Sequence, residues 1–207
     1  EAADNVDELQ GVIAHEMGHI AGGHISLAGD NTRGAMGVSI LSLLLGAAAM
    51  AAGGAEAGMG ILSAGQQAAL GKYLAFSRAQ EASADAFAIK TLNNAHLSGK
   101  GMISFFGKLK QQEFRLSPTY ADIDPYGQTH PMSGDRQATL QGDVAASPYY
   151  NLPVDPALQA RFIRVRAKLT GFIREPEYVL NKYPESNQSV AAHYARAYAW
   201  HKRAYPD

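Results

Sequence analysis

The sequence predicts a mostly α-helical fold. Apolar residues recur at helical spacing over several long stretches, and no segment gives a strong strand signal. The chain has 207 residues, of which 46% are hydrophobic and 18% charged. This composition is typical of a globular protein and argues against disorder. The length allows one domain with a real core, or a core with a small appendage.

The first predicted helix begins close to the first residue. Asn5 followed by Glu8 has the pattern of a capping box, and an apolar periodic run continues to about Leu27. Because the chain starts with Glu1 and this helix begins almost at once, we expect further sequence to precede it in the whole protein.

A stretch without charged residues follows over residues 34–55. Its length would allow a membrane span. However, much of it is Ala and Gly, and no aromatic belt or basic cluster flanks it beyond Arg33. We therefore predict a helical hairpin that is buried or touches a membrane surface through residues 34–62. Ser42 and Gly46, four residues apart, would let a second helix approach closely.

The remaining elements are predicted to be helices separated by loops. Helices are expected over residues 66–95, 100–115, 135–140, 176–183 and 191–203, and another is opened by Asp155 and Pro156. Prolines at positions 118, 125 and 131 predict a long loop over residues 117–132. The last two helices have the spacing of one incomplete tetratricopeptide unit, which is weak support for a repeat.

Composition excludes several classes of function. The formal net charge is -1 and no basic patch precedes residue 161, so a nucleic-acid partner is not expected. Cysteine is absent, which excludes disulfides, thiolate metal sites and cysteine nucleophiles. Any metal ion must therefore be held by histidine and carboxylate ligands.

His15, Glu16 and His19 form an HExxH pattern in the middle of the first predicted helix. Side chains four residues apart share one face of a helix, so both imidazoles can reach one metal ion. A catalytic zinc ion has three protein ligands and an open position, where it lowers the pKa of water towards neutrality. Glu16 is predicted to be the general base of peptide hydrolysis. One zinc ion is the predicted cofactor.

The third ligand must come from elsewhere. His24 is one residue short of the metzincin spacing, and on a continuing helix it would point almost opposite to His15. We therefore interpret His24 as a structural or surface residue. Glu81 is the better candidate, because Asp85 one turn later can accept a hydrogen bond from a ligand histidine. Other carboxylates remain alternative third ligands.

Three motifs in this order resemble metallopeptidase family M48, over about residues 5–140. They are the HExxH with His24, the run from Glu81 to Asp85 with Ala88, and His130-Pro131 with Arg136. The resemblance implies that His15, His19 and Glu81 are zinc ligands, that Glu16 is the general base and that Asp85 orients a ligand histidine.

The resemblance also implies catalytic roles for His130 and Arg136, which match the family's HPxxxxR pattern. Two roles stay open for His130. It could donate a hydrogen bond to the oxyanion of the tetrahedral intermediate, or it could occupy the open zinc position and hold the enzyme latent.

The family contains integral-membrane CAAX prenyl proteases and soluble periplasmic proteases such as BepA. The helices after residue 155 resemble the BepA-like branch, whose protease domain is followed by tetratricopeptide repeats. This implies a periplasmic zinc endopeptidase acting on misfolded or misassembled envelope proteins, with outer-membrane proteins among its polypeptide partners. The alternatives are a membrane-embedded prenyl-protein protease and a latent, chaperone-like binding module with a blocked zinc site.

The same resemblance implies a domain organisation. Residues 1–150 are expected to form the protease domain, and residues 151–207 a helical linker with a partial repeat. When complete, the protease domain would be an α+β zincin-like fold. Its strands are expected ahead of the HExxH helix, outside this chain.

Overall fold

The computed structural model describes residues 2–115 and 134–204. Eight helices lie in these ranges: α1 (Val6–Ala21), α2 (His24–Ala51), α3 (Ala55–Asn94), α4 (Lys100–Arg115), α5 (Gly134–Ala145), α6 (Pro156–Ile173), α7 (Pro176–Lys182) and α8 (Val190–Ala204). The described residues contain no strand, which confirms the mostly α-helical prediction. The α+β organisation of a complete domain stays a prediction. The predicted loop over residues 117–132 lies outside the described ranges.

The start of α1 carries the predicted cap. The Asn5 side chain accepts a hydrogen bond from the Glu8 amide at 2.9 Å, and the Glu8 carboxylate accepts one from the Asp4 amide at 2.7 Å. Glu8 is buried, and it also accepts a hydrogen bond from the Ser104 hydroxyl at 2.6 Å and pairs with Lys108. A buried carboxylate that is hydrogen-bonded and paired in this way joins α1 to α4.

The end of α1 differs from the prediction. The helix stops at Ala21 and does not continue to Leu27. The physical reason is Gly23, whose φ of 63° is a left-handed conformation that glycine adopts without strain. A separate helix, α2, therefore begins at His24.

The pair between Asp4 and Lys108 makes stability depend on pH. The two groups are 2.7 Å apart. The hydrogen bond from Lys108 lowers the pKa of Asp4 below its usual 3.8. Burial alone would lower the pKa of Lys108, but its carboxylate neighbours outweigh burial and raise it. Since the Asp4 pKa is lower in the folded state, the stability it contributes is present above pH 3.8 and is lost as pH falls through the folded-state pKa.

We expect Asp4→Asn to lower the free energy of unfolding at pH 7 by at most about 1 kcal/mol, because Asp4 is largely exposed. The difference from the unmodified protein should vanish below the folded-state pKa of Asp4. Urea unfolding of both proteins at a series of pH values from 7 downwards measures it. Asp143→Asn, a change at an exposed carboxylate of α5, is the matched control. A loss that is the same at every pH would contradict the assignment.

The chain divides into two compact units. Unit 1 comprises Glu1–Val12 and Leu92–Asp207, and unit 2 comprises Ile13–Thr91. The buried apolar residues of unit 1 include Leu92, Met102, Phe105, Phe106, Leu109, Leu140 and Val144. The domain boundary predicted at residue 150 is a different division and stays a prediction.

The last three helices pack together within unit 1. Asp155 caps α6 as predicted, since its carboxylate accepts the Ala157 amide at 2.7 Å and Pro156 occupies the first turn. The helices predicted near residues 176–183 and 191–203 are α7 and α8. Their core consists of Ala167, Val179, Ala191, Ala195 and Ala199. The tetratricopeptide assignment stays a prediction, because a repeat needs several stacked units.

Most of unit 2 is a long helical hairpin formed by α2 and α3. The turn lies at Gly53 and Gly54, and Gly53 has a φ of 91°. One stretch among the described residues, Thr32–Ala51 of α2, is long and apolar enough to cross a membrane by length and composition. The prediction of a helical hairpin is confirmed, and contact with a membrane stays a prediction.

Candidate metal centre

α1 presents His15 and His19 on one face, as their spacing requires. Their Nε2 atoms lie 3.1 Å apart, and the two rings meet edge to face with centroids 4.7 Å apart. The His15 side chain is fully buried, and that of His19 is 11% exposed. Two converging imidazole nitrogens at this distance are a natural pair of metal ligands.

α3 brings Glu81 to the same point. Its Oε2 is 3.3 Å from the His15 Nε2, and its Oε1 is 3.3 Å from the His19 Nε2. In a tetrahedral zinc site with bonds of about 2.0–2.1 Å, neighbouring ligand atoms are separated by about 3.3 Å. His15, His19 and Glu81 therefore fit a zinc ion in number, in chemical type and in spacing.

Asp85 lies one turn after Glu81 and contacts the other nitrogen of His15. The distance between His15 Nδ1 and Asp85 Oδ1 is 2.9 Å, and the Asp85 side chain is buried. A proton on Nδ1 that is donated to this carboxylate leaves Nε2 with its lone pair facing Glu81. This is the geometry that the sequence analysis assigned to Asp85.

A glycine lets the two ligand-bearing helices approach closely. A Cβ atom on Gly18 would lie 2.7 Å from both the Cα and the carbonyl oxygen of Ala84. Such distances are too short for any side chain, and the obstacle is backbone. Ala84 and Ala88 are completely buried along the same part of α3. Small residues at this contact are thus a condition for Glu81 to reach the histidines.

His24 is placed differently from the prediction. It is buried, at 8% exposure, so the surface alternative is wrong and the structural alternative holds. Its Nδ1 is 2.9 Å from the Nδ1 of His19, and the two rings meet edge to face. The prediction that His24 would point away assumed a continuing helix, and the turn at Gly23 removes that condition.

Two further contacts fix His24. The Gln80 side-chain amide donates a hydrogen bond to the His24 carbonyl oxygen at 3.3 Å. A Cβ on Gly22 would lie 2.3 Å from the His24 Nε2, so the ring occupies the space left by this glycine. The sequence analysis did not predict the contact between His24 and His19. The Gly22-Gly23 pair after the HExxH pattern is a helix-stop signal that could have revealed it.

We expect His24→Phe to weaken zinc binding roughly 10-fold to 100-fold. If His19 offers the lone pair of Nε2, its Nδ1 carries the proton and needs an acceptor, which phenylalanine removes while keeping a ring in place. His24→Asn, whose amide oxygen can accept this proton, should bind zinc much more tightly than His24→Phe. Competition with a chromophoric chelator measures these affinities, and His201→Phe at an exposed site of α8 is the control. Equal affinity of the phenylalanine variant and the unmodified protein would exclude a positioning role.

The other predicted catalytic residues are only partly described. Glu16 is half-buried on α1, next to His15 in sequence. Arg136 lies on α5 in unit 1, where its guanidinium stacks over the ring of Phe106 at 5.0 Å from the ring centroid. Its catalytic role stays a prediction. His130 lies outside the described residues.

The sequence model of peptidase family M48 matches residues 1–144. The chain belongs to peptidase family M48. The matched region contains the HExxH pattern and the Glu81 and Asp85 motif, so the converging side chains described above lie within the family domain. No solved structure matches the chain significantly.

Two curated relatives agree with this assignment. The metalloprotease LoiP of Escherichia coli is 33% identical over 144 residues, which cover 68% of this chain and 50% of LoiP. A putative beta-barrel assembly-enhancing protease of Vibrio cholerae is 27% identical over 192 residues, covering 92% of this chain and 38% of the relative. The chain thus spans half or less of the length of these two relatives.

Proposed function

We propose that this M48 chain is a zinc-dependent endopeptidase. The observation that carries the proposal is the convergence of the His15 and His19 Nε2 atoms and the Glu81 carboxylate, with separations of 3.1–3.3 Å. These side chains would hold the ion, and Asp85 would keep the His15 ring in the orientation that exposes Nε2. A bound zinc ion would supply Lewis acidity and a water of lowered pKa.

Glu16 then has the proton-transfer role. It takes a proton from the attacking water as the new bond to the scissile carbonyl carbon forms. It returns this proton to the amide nitrogen as the C–N bond breaks, so that a carboxylic acid and an amine leave the site. The half-buried position of Glu16 beside His15 supports this role.

We propose unfolded or misassembled envelope proteins as substrates, with the periplasm as the compartment. The support is the family and the names of the relatives, one of which refers to β-barrel assembly. An endopeptidase for damaged proteins needs extended, accessible polypeptide, which unfolded chains supply.

Removal of the metal tests the proposal. The purified chain should contain about one zinc ion, and it should cleave an unfolded outer-membrane β-barrel protein internally, without trimming from the ends. We expect a zinc chelator to abolish cleavage and added zinc to restore it. The same β-barrel protein in its folded form is the control substrate. Full zinc occupancy without cleavage of any unfolded polypeptide would instead favour the binding-module alternative.

A further inference from the structure

Large apolar side chains cover much of the outer surface of the hairpin. The segment from Gly34 to Gly71 is called the apolar hairpin below. On its first arm, Leu41, Leu43, Leu44 and Leu45 are 53–63% exposed. At 100° per residue, these four leucines spread over about 200° of the helix circumference. A helix whose exposed side chains are apolar over so wide an arc is typical of a protein core or a membrane. Only 11% of the apolar window in Thr32–Ala51 is buried, so the described residues do not supply that core.

Glycine and serine lie where the two arms of the apolar hairpin meet, beside Leu62 and Met50. A Cβ on Gly46 would lie 2.9 Å from the carbonyl oxygen of Gly58, and a Cβ on Gly65 would lie 2.0 Å from the Cβ of Ser42. The Ser42 hydroxyl donates to the Ser39 carbonyl oxygen at 2.9 Å, so it needs no water. Close helix contacts at glycine and serine, with leucines on the exposed side, are typical of helices packed in lipid.

The length of the apolar hairpin and the positions of its charged residues match the dimensions of a bilayer. Residues 34–51 are about 27 Å long, close to the 30 Å or so of a hydrocarbon core. Between Arg33 and Lys72 the sequence has one charged residue, Glu56, next to the turn. The Lys72 ammonium lies against Gly34, since a Cβ on Gly34 would be 3.0 Å from its nitrogen. Arg33 and Lys72 therefore lie at the same height along the axis of the hairpin.

Residues near Arg33 and Lys72 are of types that occur at a membrane interface. Tyr73 is 47% exposed directly after Lys72, and aromatic rings are enriched where the bilayer meets water. The exposed polar residues Gln66 and Gln67 lie about 8 Å along the helix axis from Lys72, near the boundary between headgroups and acyl chains. The amide groups of Gln66 and Gln67 are therefore placed where water or headgroups can reach them.

We propose that the apolar hairpin inserts into a lipid bilayer from one side, with Arg33 and Lys72 at the near headgroups and Glu56 at the far ones. The segment is not a removable leader, because it lies between His19 and Glu81, which meet at the metal centre. The occupant of the apolar surface is thus a membrane.

This placement names a substrate class, and that step rests on the proposed peptidase function. His24 lies nine positions before Arg33 and Lys72 lies nine positions before Glu81, which is about 14 Å along each helix. The metal centre is thereby held about 14 Å along the helices from the membrane surface. Its substrates are polypeptide segments that lie at that surface or emerge from it.

A single-cysteine label tests insertion, because the chain has no cysteine. An environment-sensitive fluorophore is attached to Leu44→Cys in the hairpin and, as the control, to Ile163→Cys on α6, where the side chain is 47% exposed. With vesicles of phosphatidylethanolamine and phosphatidylglycerol, we expect emission from position 44 to rise severalfold and shift to the blue, and emission from position 163 to stay unchanged. Unchanged emission from position 44 would overturn the proposal. A rise without vesicles that depends on protein concentration would also overturn it, since a second copy would then cover the surface.

A double substitution that adds two negative charges tests the same surface through vesicle binding. We expect Leu41→Glu with Leu44→Glu to reduce partition into these vesicles by at least about a hundredfold, because charges at the centre of a span oppose insertion. Ile163→Glu with Val165→Glu adds the same charges at exposed apolar sites on α6 and should leave partition unchanged. Vesicle binding retained by the hairpin variant would overturn insertion. Zinc content of the variants reports folding, and if the hairpin variant loses zinc, the label result decides.

A tethered peptide tests the substrate class. One peptide is offered free in solution and also anchored to vesicles through a lipid. We expect the hairpin variant to lose the preference for the anchored form and to cleave the free peptide at the unmodified rate. No cleavage of either form by the unmodified protein would refute the peptidase function and leave insertion standing. Equal cleavage of both forms by the unmodified protein would refute the substrate class.

Discussion

Glu16→Gln is expected to abolish measurable peptide hydrolysis while leaving zinc bound. General-base catalysis contributes about 10²-fold to 10⁴-fold, and the amide of glutamine cannot accept the proton of the attacking water. The ligand set of His15, His19 and Glu81 is untouched, so the zinc content should stay near one ion per chain. Initial rates on an unfolded polypeptide, measured with elemental analysis of the same sample, give both results.

The matched control for this change is Glu177→Gln, at an exposed glutamate of α7. It should leave the rate unchanged. Hydrolysis by the Glu16→Gln protein at more than about a tenth of the unmodified rate would remove Glu16 from the role of base. Loss of zinc together with activity would show that Glu16 supports the structure of the centre and would leave its chemistry undecided.

Gly18→Ala is expected to disrupt the metal centre without touching any ligand. The added methyl group would lie 2.7 Å from backbone atoms of Ala84, so α1 and α3 must move apart. Glu81 sits one turn before Ala84 and would move away from the histidines with it. Overpacking of this kind costs about 1–3 kcal/mol, and Gly18→Val should cost more. We expect a lower melting temperature and weaker zinc binding in both variants.

Gly29→Ala provides the control for this prediction. Gly29 is also helical, on α2, and a Cβ there would meet no atom within 4 Å. Alanine in a helix interior is favoured over glycine by about 1 kcal/mol, so this variant should be slightly more stable. If Gly18→Ala were as stable as Gly29→Ala and bound zinc equally well, the close contact between α1 and α3 would not hold.

The sequence was sufficient to predict the parts of the site that depend on regular helix geometry. His15 and His19 follow from a spacing of four, and Glu81 and Asp85 from the same spacing on a second helix, so the structure brings the predicted groups together. The contact of His24 could not be predicted by the same rule. It depends on a left-handed residue at position 23 that ends α1 early, and periodicity carries no information about such a turn.

The residues that flank the apolar stretch show a second limit of prediction from the sequence. Along the sequence, only Arg33 borders the uncharged residues on one side, which argued against a membrane span. In the structure the hairpin returns Lys72 to the level of Gly34, 38 residues away, and exposes Tyr73 beside it. Hydropathy averaged over consecutive residues does not include flanking residues that a second helix supplies.

The metal centre has a thermodynamic consequence for unit 2. Its ligands come from α1 and α3, and the 61 residues between His19 and Glu81 form the closed loop. Because the ion binds only when folding brings these ligands together, occupancy and folding are linked by mass action. Each tenfold increase in free zinc above the dissociation constant should add about 1.4 kcal/mol to the stability of this unit. A chain kept in zinc-poor medium is thus expected to open more often and to be degraded sooner.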